Sequence, residues 1–146
     1  MSHSLSFTAK RRMARENALK ILYAVDMADH EIRSAIKDFF QYFYEGPDVE
    51  DIITYTDTLA TGTEDKKKQI DETIEKFSEN WTIDRMVVID RNILRTAVYE
   101  ILFVEDVPIL VSLNEAIEIG KIYGNNDSKR FINGILDKVI KTVKDD

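Results

Sequence analysis

Four cations stand close together near the start of the chain: Lys10, Arg11, Arg12 and Arg15. Guanidinium groups grip phosphates bidentately and stack on bases. At 100° per residue, Arg11, Arg12 and Arg15 fall within an arc of about 100° on a helix. A helix dipole is positive at its start, so each of these charges is unfavourable there by about a few tenths of a kcal/mol. An external polyanion is the simplest compensation. The competing reading is an exposed basic face that aids solubility.

A second set lies in Tyr123-Gly-Asn-Asn-Asp127-Ser-Lys129-Arg130-Phe131. It joins aromatic rings, amides, a carboxylate and two cations around a helix start. Such groups read the edges and faces of single-stranded RNA bases. An ordinary Gly/Asn loop capped by Asp127, with Phe131 in the core, explains the same residues. A third set is acidic. Asp84 and Asp90 sit where a long apolar helix should begin. They complement its dipole and cap it, or they form a patch for a basic protein partner. Arg91 and Arg95 read as internal ion-pair partners.

Other chemistry is missing. The sequence has no Cys, which excludes disulfides, a thiol nucleophile and a Cys-ligated metal. Only His3 and His30 are present, and HExxH, P-loop and GxGxxG patterns do not occur. No enzyme activity, metal or cofactor is expected. The first residues lack an apolar stretch before a cleavage site, so no signal peptide is expected and the expected location is cytoplasmic. No run approaches the roughly 18 apolar residues of a membrane span.

The elements that must carry these residues are helical. Thr8 can cap a first helix with the stripe Ala14, Ala18, Ile21, Leu22 and Val25. A second helix is predicted over 31–44, with Ile32, Ile36, Phe39, Phe40 and Phe43, before the Gly46-Pro47 break. Residues 49–80 predict one kinked helix or two adjacent ones. Residues 80–84 read as a connector, with Thr82 or Asp84 as the next cap. Residues 85–104 are apolar on most sides, which suits the middle of a bundle. Ser112-Leu-Asn-Glu115 matches a capping box opening the next helix, and Gly124 suits a positive-φ helix end. Phe131, Ile132, Ile135, Leu136, Val139, Ile140 and Val143 line one face of the last helix. The sum is an all-α chain of six or seven helices.

Length and charge fit that reading. With 146 residues, 44% hydrophobic and 32% charged, the composition is that of one globular domain. Net charge is −7, but residues 1–24 carry five basic groups against Glu16, a balance of +4. The other 122 residues carry 15 basic and 26 acidic groups, a balance of −11. A basic end on an acidic body suggests a polyanion at one place and something else, or solvent, at the other.

Several segments together resemble the NusB family. They are Arg11-Arg12-Met13-Ala14-Arg15-Glu16 with Leu22-Tyr23, Trp81-Thr-Ile-Asp-Arg85, Ile89-Asp-Arg-Asn-Ile-Leu-Arg95, Tyr99-Glu-Ile-Leu102, and Asn114-Glu-Ala-Ile-Glu-Ile119. Tyr123-Gly124 and Ser128-Lys-Arg-Phe-Ile-Asn-Gly-Ile-Leu-Asp-Lys138 complete the set. The resemblance implies two packed helical subdomains, placed at 1–80 and 81–146. It implies a transcription antitermination factor that binds boxA RNA together with NusE, a small-subunit ribosomal protein, in a complex on RNA polymerase. It assigns RNA contacts to Arg11, Arg12 and Arg15, and to Tyr123, Asp127, Arg130 and Phe131. Lys10 and Lys129 join these as neighbouring charges, with Met13 standing where many relatives have a third consecutive Arg. NusE-facing positions carry over to Tyr23, Asp84 and Asp90. Some relatives form homodimers that cover the arginine-rich segment. The alternative to this reading is a helical protein-interaction module with no RNA function of its own.

Overall fold

The computed structural model describes residues 5–42, 46 and 48–144. Among them are seven α-helices and one 3₁₀ turn, and no strand. The chain forms two compact units, Met1–Glu64 and Asp65–Asp146.

The first unit holds α1 (Phe7–Ala28), α2 (Ile32–Phe40) and α3 (Val49–Asp65). Every residue of the α1 stripe is buried, with Leu19 beside it. Ala35 of α2 and Ile52, Tyr55, Leu59 and Ala60 of α3 are buried too. Burying a Leu or Ile side chain contributes about 1.5–3 kcal/mol, so this stripe is what makes α1 a stable helix. The cap of α1 is Ser6 rather than Thr8: Ser6 Oγ accepts from the Ala9 N–H at 3.0 Å. Glu31 caps α2, its carboxylate accepting from the Arg33 and Ser34 N–H groups. The helix stops at Phe40, short of the predicted end at 44; Phe43 and Pro47 lie outside the described residues.

The second unit holds α4 (Lys67–Ser78), the 3₁₀ turn Ile83–Arg85, α5 (Val88–Phe103), α6 (Ile109–Tyr123) and α7 (Ser128–Lys144). The 49–80 region is thus two helices, and the break falls at Lys66, whose φ of −100° and ψ of 13° leave the helical well. Gly62 lies inside α3 without interrupting it. Because α4 packs on α5 and α7, it joins the second unit, and the boundary falls earlier than residue 80. α5 packs against α4, α6 and α7, the central place its apolar composition demands. Its Ile93, Leu94, Ala97 and Val98 meet a core completed by Ile70, Ile74, Ile119, Ile132, Leu136 and Val139.

Polar groups inside this unit are paired. Arg95 is buried and makes a two-pronged bridge to Asp71, Nε to Oδ1 at 2.8 Å and Nη2 to Oδ2 at 3.0 Å. Such a bridge fixes the α4–α5 register through geometry. Arg91 Nη1 donates to the Ile83 carbonyl. The capping box expected at Ser112 is absent. α6 starts at Ile109 after Pro108, and Ser112 lies a turn inside it, buried and donating to Glu100 Oε1 at 2.6 Å. Among the described residues, no helix is long and apolar enough to cross a membrane, and no group of His, Asp or Glu is arranged to hold a metal.

Candidate nucleic-acid interface

In the first unit, the basic cluster occupies the first turns of α1 as expected, but its members have different surroundings. Lys10 Nζ donates to Asp51 Oδ2 at 2.7 Å and lies 3.7 Å from Asp48 Oδ1. The bond to Asp51 raises the Lys10 pKa, with burial working against it and the charges of Asp51 and Asp48 adding to it. Asp48 also accepts from the Leu5 N–H at 2.8 Å, which ties the α3 start to the segment before α1. Arg11 is half-buried. Its guanidinium carbon sits 3.6 Å from the Tyr55 ring centroid and 4.7 Å from that of Phe7, both within cation–π range. Arg15 is buried, 5.9 Å from the same Tyr55 ring. Arg12 is exposed.

The expectation of a cluster left wholly to an outside anion is therefore corrected. Asp51 of α3 and Asp48 just before it already face Lys10, and aromatic rings hold Arg11. Of the four, Arg12 is the exposed one. Tyr23 follows it on α1, exposed and eleven residues on, which is about 20° around the helix and about 16 Å along it. Arg12 and Tyr23 therefore share one exposed strip.

In the second unit, Gly124 does not take the predicted positive φ; its φ is −89°. A side chain is excluded by space instead. A Cβ there would lie 2.3 Å from Ser128 Oγ and 2.7 Å from the Gly120 carbonyl. That close approach lets Ser128 Oγ accept from the Asn125 N–H at 2.9 Å while donating to Asp90 Oδ1 at 2.6 Å. Asn125 Oδ1 in turn accepts from the Asp127 N–H at 2.9 Å, an Asx turn that sets the entry to α7. Asp90 and Ser128 are both buried. Burial lifts the Asp90 carboxyl above its usual range, and the Ser128 hydroxyl partly offsets this.

Asp90 thus fastens the start of α7 to α5 and presents almost no surface, unlike the exposed partner-facing carboxylate expected of it. Asp84 is exposed; the hydrogen bond from Thr82 Oγ1 at 2.6 Å lowers its pKa. The fastened loop leaves Asp127, Lys129 and Arg130 exposed and Phe131 half-buried, while Tyr123 is half-buried at the end of α6. Two adjoining clefts, about 270 and 410 Å³, open here. Trp81, Asp127 and Phe131 line both. Trp81 is 50% exposed. Residue spacing gave no warning of it, because Trp81 lies in a connector far from Phe131 in sequence; its signal was a lone Trp among polar neighbours.

The profile of the NusB family matches residues 12–141. The transcription antitermination protein NusB of Desulfitobacterium hafniense is 47% identical over 135 residues, covering 91% of this chain and 89% of that protein. Its counterpart in Anaeromyxobacter dehalogenans is 44% identical over 132 residues, covering 90% and 91%. Among solved structures, NusB of T. maritima superposes with a TM-score of 0.78 at 36% identity, over 90% of both chains. A crystal structure of antitermination factors NusB and NusE in complex with dsRNA gives 0.81 at 24% identity, over 92% and 98%, and so shares the fold. The match runs from Arg12 through Arg130 into the last turns of α7, and with the all-helical architecture it shows that this chain belongs to the NusB family.

Proposed function

We propose that this protein is an RNA-binding transcription antitermination factor that acts in the cytoplasm, by binding rather than catalysis. Its RNA is single-stranded and boxA-like, and its protein partner is the small-subunit ribosomal protein NusE, within a complex on RNA polymerase. The observation that carries this reading is the 47% identity with an antitermination protein over 91% of the chain, and the family profile runs from Arg12 past Arg130. The geometry supports it at two places. Arg12 stands exposed on α1, and its sequence neighbour Arg11 lies over the Tyr55 ring. Lys129 and Arg130 stand exposed at the start of α7, next to the Phe131 ring and the Asp127 carboxylate. Tyr23 and Asp84, both exposed, are the NusE-facing residues.

The test is anisotropy of a labelled boxA RNA, with and without NusE. A charge-assisted hydrogen bond contributes about 1.5–3 kcal/mol, so Arg12→Ala should weaken binding roughly tenfold or more. Arg12 is the cleaner probe because it is exposed, whereas Arg15→Ala removes a buried side chain and must be read against a melting curve. Unchanged affinity in Arg12→Ala removes Arg12 from the RNA interface, whereas a parent chain that binds no RNA with or without NusE is a protein-interaction module.

A further inference from the structure

The two clefts beside α7 share an aromatic residue to which the resemblance gives no role. Trp81 is the chain's single tryptophan, and half of its surface is in solvent. Large indoles are usually mostly buried, so one held out on a connector calls for a reason. The connector is built to hold it out. Glu79 sits at φ 62° and ψ −62°. The Asn80 N–H donates back to the Ser78 carbonyl at 2.6 Å, so Glu79 is the centre of a γ-turn, a strained geometry for a side-chain-bearing residue.

Four further bonds keep the turn in place. Lys138 of α7 bridges to Glu79 at 2.9 Å and donates to the Phe77 carbonyl at 3.4 Å. Ser78 Oγ donates to the Trp81 carbonyl. The Ile83 N–H donates to Glu75 Oε2 at 3.3 Å. The segment on both sides of Trp81 is thus tied to α4 and α7, and strain of this kind persists only where surroundings over-determine it.

Phe131 and Asp127 line both clefts together with Trp81, and Arg85 lines one and Arg130 the other. We infer that Trp81 is a base-stacking residue: with Phe131 it forms an aromatic slot for one unstacked RNA base. Every base offers a π-face, and aromatic side chains supply the complementary one. Asp127, an acceptor at the slot's edge, favours a base that presents an exocyclic amino donor, such as cytosine. The arginines serve the flanking phosphates. This inference rests on the RNA-binding reading above and adds to it a residue and a mode of contact.

Because there is one tryptophan, its emission reports the slot alone. Unlabelled single-stranded boxA RNA is titrated into the full chain while Trp81 fluorescence is followed, and occupancy is measured in parallel by anisotropy of the labelled RNA. The expected result is strong quenching that tracks occupancy. Trp81→Ala should weaken binding about five- to hundredfold. Trp81→Phe should restore most of that, with both variants melting as the parent does. Anisotropy that saturates while the emission stays unchanged overturns the inference. So does an emission change produced by the protein partner and not by RNA, and so does a Trp81→Phe variant as weak as Trp81→Ala. If no RNA binds at all, the RNA reading itself fails and the slot falls with it.

Discussion

Lys10 shows how a single residue's surroundings decide its role. Its ammonium already has two carboxylates, Asp51 at 2.7 Å and Asp48 at 3.7 Å. An incoming phosphate competes with them for the same charge, so Asp51 acts as an internal rival of RNA. Exposed ion pairs are weak, which puts the effect in the range of a few-fold. Asp51→Asn should therefore tighten RNA binding roughly two- to fivefold, and the gain should vanish when Lys10→Ala is added. Glu50→Gln, an exposed neighbour on the same turn of α3, controls for general charge. An equal gain in Glu50→Gln, or a gain that survives without Lys10, would show that Asp51 merely repels RNA at a distance. The sequence displays Lys10 among its basic neighbours and nothing of Asp48 or Asp51, because the pairing is made by the packing of α3 against α1.

At the scale of elements, periodicity revealed most of the helices and little of how they are joined. The stripes of α1 and α7 were legible because apolar spacing records burial directly. The start of α6 was not. Ser-x-x-Glu signals a helix start only when the preceding residue leaves the helix. Here Pro108 begins the helix sooner, and Ser112 turns to Glu100 on α5. The burial of Asp90 is hidden for the same reason: it stands in the first turn of α5, where a carboxylate complements the dipole, but its partner, Ser128, is distant in sequence. Gly124 was identified as special, but on conformational grounds, when the need is spatial. This difference can be measured. Gly124→Ala forces a methyl against Ser128 and the Gly120 carbonyl. It should cost about 1–3 kcal/mol, as overpacking does, and should loosen the loop carrying Asp127. Gly134→Ala, inside α7 with open space around the added methyl, should instead gain up to about 1 kcal/mol from helix propensity. Thermal melts of the two variants decide it. A Gly124→Ala protein as stable as the parent would mean that the loop can yield without loss.

Over the whole molecule, the charge pattern sets how binding must respond to salt. A chain of net charge −7 repels RNA on average, so attraction has to come from cations that meet phosphates at contact distance. About four such contacts, shared between the α1 cluster and the cations beside α7 (Arg85, Lys129 and Arg130), give a log–log slope of affinity against salt near −3, at about −0.7 per phosphate of a single strand. Arg12→Ala should make that slope shallower by roughly 0.7 as well as lowering affinity. Trp81→Ala should lower affinity and leave the slope alone, because stacking releases no counterions. The two variants therefore separate on a plot even where their affinities coincide. If both change the slope alike, the division of labour between cations and rings is wrong. A slope near zero in the parent would mean that phosphates are not where the binding energy lies.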